Sequence, residues 1–114
     1  MEVTMPGTLG VIYVVSFSSG VIKIGCTSRL FSLRLAEHRR PAHMHLQTIE
    51  DHWVSEPFEG YSKAETILGQ ICFCFSDEAP RRREWFTDVD FGLARQYAEW
   101  MSTKLRARLV RREP

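Results

Sequence analysis

Five side chains in this sequence carry the chemistry it can do. They are the phenol of Tyr13, the ammonium of Lys23, the guanidinium of Arg34, the imidazole of His38 and the carboxylate of Glu65. An ammonium beside a phenol favours the phenolate and lowers a pKa that starts near ~10, so a tyrosine tuned in this way takes a proton from water. Arg34 and His38 are four residues apart and share a helix face. Aimed across the mouth of a hairpin that bears Tyr13 and Lys23, they make a cationic pocket for a phosphate, which the planar fork of arginine suits. One acid among basic partners then fits magnesium, which takes one or two protein carboxylates and completes its shell with water and substrate oxygens. Plainer readings stand beside these. Lys23 can lie over an aromatic edge with its head in water. Ser62-Lys63-Ala64-Glu65 spells a capping box, in which the glutamate bonds back to the start of its own helix.

The elements that must position these groups follow from periodicity. "GVIYVVSF", residues 10–17, is β-branched and aromatic and reads as a strand. Ser18-Ser19-Gly20 makes a turn, and residues 21–26 form a second strand, so the two pair as an antiparallel hairpin. With the turn there, partner numbers add to about 36–38, which sets Tyr13 opposite Lys23 or within a residue of it. An even register points both side chains to one face. Gly25 follows directly and lets another group approach the backbone closely. From Ser28, a plausible N-cap, residues 29–40 read as a helix stopped by Pro41, with Phe31 and Leu35 inward. Residues 45–54 are a weaker strand. Residues 62–75 give an amphipathic helix with Ala64, Ile67, Leu68, Ile71, Cys72 and Phe75 on one stripe. "EWFTDV" reads as a short extended segment. Asp90 caps a long C-terminal helix over residues 90–110, with Ala94, Tyr97, Ala98, Met101 and Leu105 inward. The expectation is one α+β domain over residues 1–114, with residues 1–9 a loose lead-in and a small antiparallel sheet flanked by helices.

Composition narrows the function classes. The chain has 114 residues, 44% hydrophobic and 25% charged, which is the make-up of a globular domain. No apolar run approaches the ~18 residues of a membrane span, and the N-terminus has no leader pattern, so a cytoplasmic protein with no membrane partner is expected. Three cysteines, Cys26, Cys72 and Cys74, are poor material for a disulfide framework. Cys72 and Cys74 are not spaced as C-x-x-C. With His43, His45 and His52 they read as core thiols and solvated imidazoles rather than a zinc site. The net charge is only +1, yet twelve of the fifteen basic residues are arginine and they cluster. Arg39-Arg40, Arg81-Arg82-Arg83 and the C-terminal Arg106, Arg108, Arg111 and Arg112 suit phosphate oxygens.

"GVIYVV", the "KIG" ten residues further on, "RLAEH" and a later helical glutamate together resemble the GIY-YIG nuclease superfamily. The resemblance spans residues 10 to about 87. It is closest to the phage and bacterial branch whose second motif reads KIG and which ends in a Glu-Trp-Phe element, here Glu84-Trp85-Phe86. It implies a three-stranded antiparallel sheet flanked by helices and a metal-dependent nuclease activity. Tyr13 matches the GIY tyrosine, Gly25 the YIG glycine, Arg34 the helix arginine, His38 the histidine after it and Glu65 the metal-binding glutamate. Two positions depart from the pattern: Val11 stands for the first glycine, and Lys23 for the YIG tyrosine. Restriction enzymes of the superfamily look similar at the second position and use the first tyrosine as base. Hydrolysis of DNA with Mg²⁺ or Mn²⁺ held by Glu65 is thus expected, Lys23 holding Tyr13 deprotonated. Glu84 and Trp85 would be structural, and Arg39, Arg40, Arg81, Arg82 and Arg83 would grip the DNA backbone, branched or otherwise structured DNA included. Cutting both strands from one active site per chain would usually take a homodimer or a larger complex. The rival readings are an inactive DNA-binding module of the same fold and a protein-interaction factor using it as scaffold.

Overall fold

The computed structural model describes residues 9–44, 47–76 and 85–112, with the side chains at 40–44, 75 and 106–112 left outside that description. The elements run β1 (Val11–Phe17), β2 (Ile22–Thr27), α1 (Phe31–Met44), β3 (Ile49–Val54), α2 (Tyr61–Phe75), β4 (Trp85–Phe86) and α3 (Phe91–Arg112). The fold is α+β with the last helix C-terminal. Among the described residues the sheet has four strands rather than three, in the order β3-β1-β2-β4, all neighbours antiparallel. The extra strand is only two residues long, lies within the short extended segment expected at "EWFTDV", and pairs with Ile22 and Lys23.

The central strand, β1, explains the layering. Its apolar run is covered on both faces, as a near-continuous hydrophobic strand requires. Ile12 and Val14 join Ile22, Ile24, Phe58 and Phe86 in the larger core beneath α2 and α3. Tyr13, Val15 and Phe17 point the other way and meet Leu35, Phe31 and Trp85 under α1. Edge strand β3 exposes Glu50, Asp51 and His52, charges and polar groups that discourage further strand pairing.

The hairpin turns as expected. Gly20 takes φ +89°, and its N–H donates to the Phe17 carbonyl at 2.9 Å. The helical stripes also match: Ala64, Leu68 and Cys72 of α2 and Ala94, Ala98 and Met101 of α3 are buried. Ile67, Ile71, Tyr97 and Leu105 pack half-buried against them. Asp90 caps α3, its carboxylate accepting from the Leu93 N–H at 3.1 Å.

Four local expectations need correction. Helix α1 starts at Phe31, not after a Ser28 cap, because the Thr27 hydroxyl takes the Arg29 N–H (3.0 Å) and the Leu30 carbonyl opens the helical bonding. It passes Pro41 by a further turn; a proline locks φ at a helical value, and this near the helix end it removes a single ladder bond. The capping box of α2 does not form: the N-cap is Gly60, with no side-chain cap bond. The helix starts at Tyr61, whose ring lies so close to Gly10 that a Cβ there would sit 2.7 Å from it, and Ser62 is already inside the helix. Finally, Cys74 is exposed while Cys72 is buried, since residues two apart on a helix are about 200° apart around it. Burial pushes the Cys72 thiol up to about 12. Alkylation of the folded protein at neutral pH should therefore modify Cys74 quickly and Cys72 only on unfolding, read by peptide mass mapping. Modification of Cys72 at the rate of Cys74 would contradict the packing.

Residues 1–8, most of the expected lead-in, lie outside the described residues. So do Arg81, Arg82, Arg83 and Glu84, the histidine at 45, and the side chains of Arg40, His43 and the C-terminal arginines. Among the described residues no helix is long and apolar enough to cross a membrane.

Candidate active site

Tyr13 is held on both sides. In β1 it pairs with Val54 of β3 and with Gly25 of β2. Partner numbers in the hairpin add to 38, so Lys23 faces Val15 and lies one diagonal step from Tyr13 on the same α1-side face. The shared face is as expected; the directly opposite pairing is not. The phenol crosses β2 at Gly25. A Cβ on that residue would fall 2.3 Å from both Cζ and the hydroxyl oxygen of Tyr13, so only glycine fits beneath the ring. The ring is 2% exposed and packs on Phe31, centroids 5.4 Å apart. Its hydroxyl lies 3.1 Å from Nε2 of His38, which comes from α1. The phenol donates when that nitrogen is bare, and a phenolate accepts when it carries the proton.

Arg34 precedes His38 by one turn of α1. Its Nη1 donates to Oε2 of Glu37 at 3.1 Å, and Arg29 donates to Oε1 of the same carboxylate. The hydrogen bond from Arg29, with the two positive charges, holds the Glu37 carboxyl below its ordinary range. The Nε of Arg34 is buried and has no acceptor among the described residues. Lys23 is 7% exposed, with Nζ 5.2 Å from the centroid of the Trp85 ring.

Glu65 reaches the site from α2, on the other side of β2. Its Oε2 accepts the thiol hydrogen of Cys26 at 3.2 Å. Burial first, then the bond to Glu65 and its charge, push the Cys26 thiol up to about 12; Arg34 and Lys23 act in the opposite sense. That one thiol lies within electrostatic reach of Glu65, Arg34 and Lys23 together. At the Gly25–Cys26 step of β2, Tyr13 lies over the first residue and Glu65 is bonded to the second, from opposite faces of the sheet. A weak thiol donor leaves most lone pairs of the Glu65 carboxylate for a cation. Among the described residues no three His, Cys, Asp or Glu side chains form a metal-holding group, so an ion here would rest on Glu65, water and substrate oxygens.

The T5orf172 domain model matches residues 10–102. The chain belongs to the T5orf172 domain family. That domain is phage-associated and related to nuclease-like folds of the GIY-YIG type. No curated protein and no solved structure matches the chain.

In this T5orf172 domain three partners escaped the sequence reading. Glu37 had a local signal, an acid three residues after Arg34 on one helix face. Cys26 had none, since its bond to Glu65 joins residues thirty-nine apart. Trp85 was read as core packing; it does lie in the α1-side cluster, but it also meets Lys23 and His38. Of the expected phosphate-gripping arginines, Arg39 is exposed on α1.

Proposed function

We propose that this T5orf172 domain is a metal-dependent endonuclease that hydrolyses phosphodiester bonds in DNA. The observation that carries the reading is the seat of Tyr13 over Gly25 with its hydroxyl on His38, next to Cys26, whose thiol is bonded to a Glu65 released from helix capping. The family's nuclease-like and DNA-binding associations support it. Tyr13 is the base: its oxygen takes a proton from the attacking water while its own proton leaves to His38, 3.1 Å away. Lys23, a cation on the same face, favours the phenolate during that transfer. Arg34 neutralises charge growing on the non-bridging oxygens. Glu65 would hold Mg²⁺ or Mn²⁺, which when bound supplies a Lewis acid for the leaving oxygen. The products are a 5′-phosphate and a 3′-hydroxyl. The arginine clusters bind the backbone, so affinity falls with salt and varies little with sequence. One site cuts one strand, so double-strand breaks need two copies. Action in the cytoplasm of a bacterium, on phage or host DNA, is part of the same reading.

A DNA-binding module without turnover is favoured by one observation, the 2% exposure of the Tyr13 ring. Supercoiled plasmid with Mg²⁺ or Mn²⁺ separates the two. Cleavage predicts nicked circles that vanish with EDTA and fall on the order of 10²-fold or more in Glu65→Gln. Gel retardation without nicking would establish the binding module instead, and neither effect would leave the scaffold role.

A further inference from the structure

We propose that Trp85 is a positioning residue of this site: its indole, delivered by β4, holds the Lys23 ammonium over its face and the His38 imidazole against its edge. The inference rests on the cleavage reading of the same site.

The two residues of β4 explain how the indole gets there. Phe86 pairs with Ile22 and is fully buried in the larger core. Strand alternation then sends Trp85 to the opposite, α1-side face, beside its backbone partner Lys23. Three contacts meet on that one ring. Lys23 Nζ lies 5.2 Å from its centroid. The His38 ring stands perpendicular to it, centroids 6.4 Å apart at 89°. The Phe17 ring stacks on it at 5.6 Å and 27°. Lys23 is 7% exposed, and a nearly desolvated ammonium gains more from an aromatic face than one in water. An imidazole braced at its edge has less rotational freedom, which keeps Nε2 aimed at the Tyr13 hydroxyl 3.1 Å away. Trp85 touches neither Tyr13 nor the scissile phosphate in this account. It acts through the two groups that do the proton work, and no ordinary core filler of equal volume would present a negative face to Lys23.

The test compares Trp85→Phe, which keeps an aromatic face, with Trp85→Leu, which keeps only apolar bulk. Plasmid nicking is followed at varied DNA concentration, with thermal unfolding as control. The expected result is a kcat lowered about tenfold or more in Trp85→Leu, with KM within about twofold, and a Trp85→Phe kcat within about threefold of the parent. The Lys23 ε-methylene protons, read by NMR of the full chain without DNA, should lie upfield in the parent and in Trp85→Phe, and return to their ordinary position in Trp85→Leu. Unchanged kcat in Trp85→Leu would overturn the proposal. So would an equal kcat loss in both variants with the melting point lowered in both, which is what a mere core filler gives. If the parent itself nicks nothing, the cleavage reading falls by its own test, and the ring-current shift then decides the placement alone: its presence supports the role, its absence removes it.

Discussion

Gly25→Ala should unseat Tyr13 and cost both stability and cleavage. The added methyl carbon would lie 2.3 Å from the Tyr13 hydroxyl and from Cζ, and 2.9 Å from Cε1. These atoms can retreat only by disturbing their neighbours. The ring is 2% exposed, Phe31 covers it at 5.4 Å, and the strand that bears it is paired on both sides. Overpacking of this kind costs about 1–3 kcal/mol. The ring must tilt away from β2, which moves the phenol oxygen from Nε2 of His38 and from the Gly25–Cys26 step. Chemical denaturation would read the first effect and plasmid nicking the second. A double-mutant cycle identifies the cause. In a Tyr13→Ala background the clash has no partner, so Gly25→Ala should there cost at most a few tenths of a kcal/mol, giving about 1–3 kcal/mol of coupling. Equal costs in the two backgrounds would show that the glycine answers to the backbone, not to the tyrosine.

Tyr13→Phe is the cleaner chemical test, because it keeps the ring and removes one atom. Loss of a positioned general base lowers the rate by about 10²–10⁴. The fold should hardly notice: the ring still packs on Phe31 and covers Gly25, and the lost bond to His38 is worth about 0.5–1.5 kcal/mol. DNA retention on a gel should be unchanged, since in the proposed function the arginines, not the phenol, grip the backbone. A kcat within about tenfold of the parent would strip Tyr13 of the base role. Lost retention together with lost cleavage would instead mean that the substitution had disturbed the fold.

These two tests hinge on a residue pair that the sequence brought close and the structure completed. The parity of the hairpin was legible: a turn at Ser18–Gly20 puts Tyr13 and Lys23 on one face whether partners add to 36 or 38. The exact partner was not, since a two-residue shift of register leaves every side chain on its own face of the sheet. It sets Gly25, not Lys23, beneath the phenol. The pairing of Arg34 with His38 on α1 needed only a count of four. Glu65 was the ambiguous letter. Its capping role and its metal role call for the same residue; the structure removes the first, because the helix starts at Tyr61, docked on Gly10 fifty-one residues away along the chain.

The division follows the range of the forces. Strand and helix periods, the Asp90 cap and the Gly20 turn are settled by neighbours within a few residues, and the amino-acid order determined them. The same order determined which chemical groups are on hand: a phenol, two kinds of cation, an imidazole and one well-placed acid. Tertiary packing decided the rest. The bond between Cys26 and Glu65, the indole of Trp85 over Lys23 and the burial of the Tyr13 ring join elements far apart in the chain. Each exists because two faces of one sheet had to be covered, and close packing leaves each side chain a single place to go.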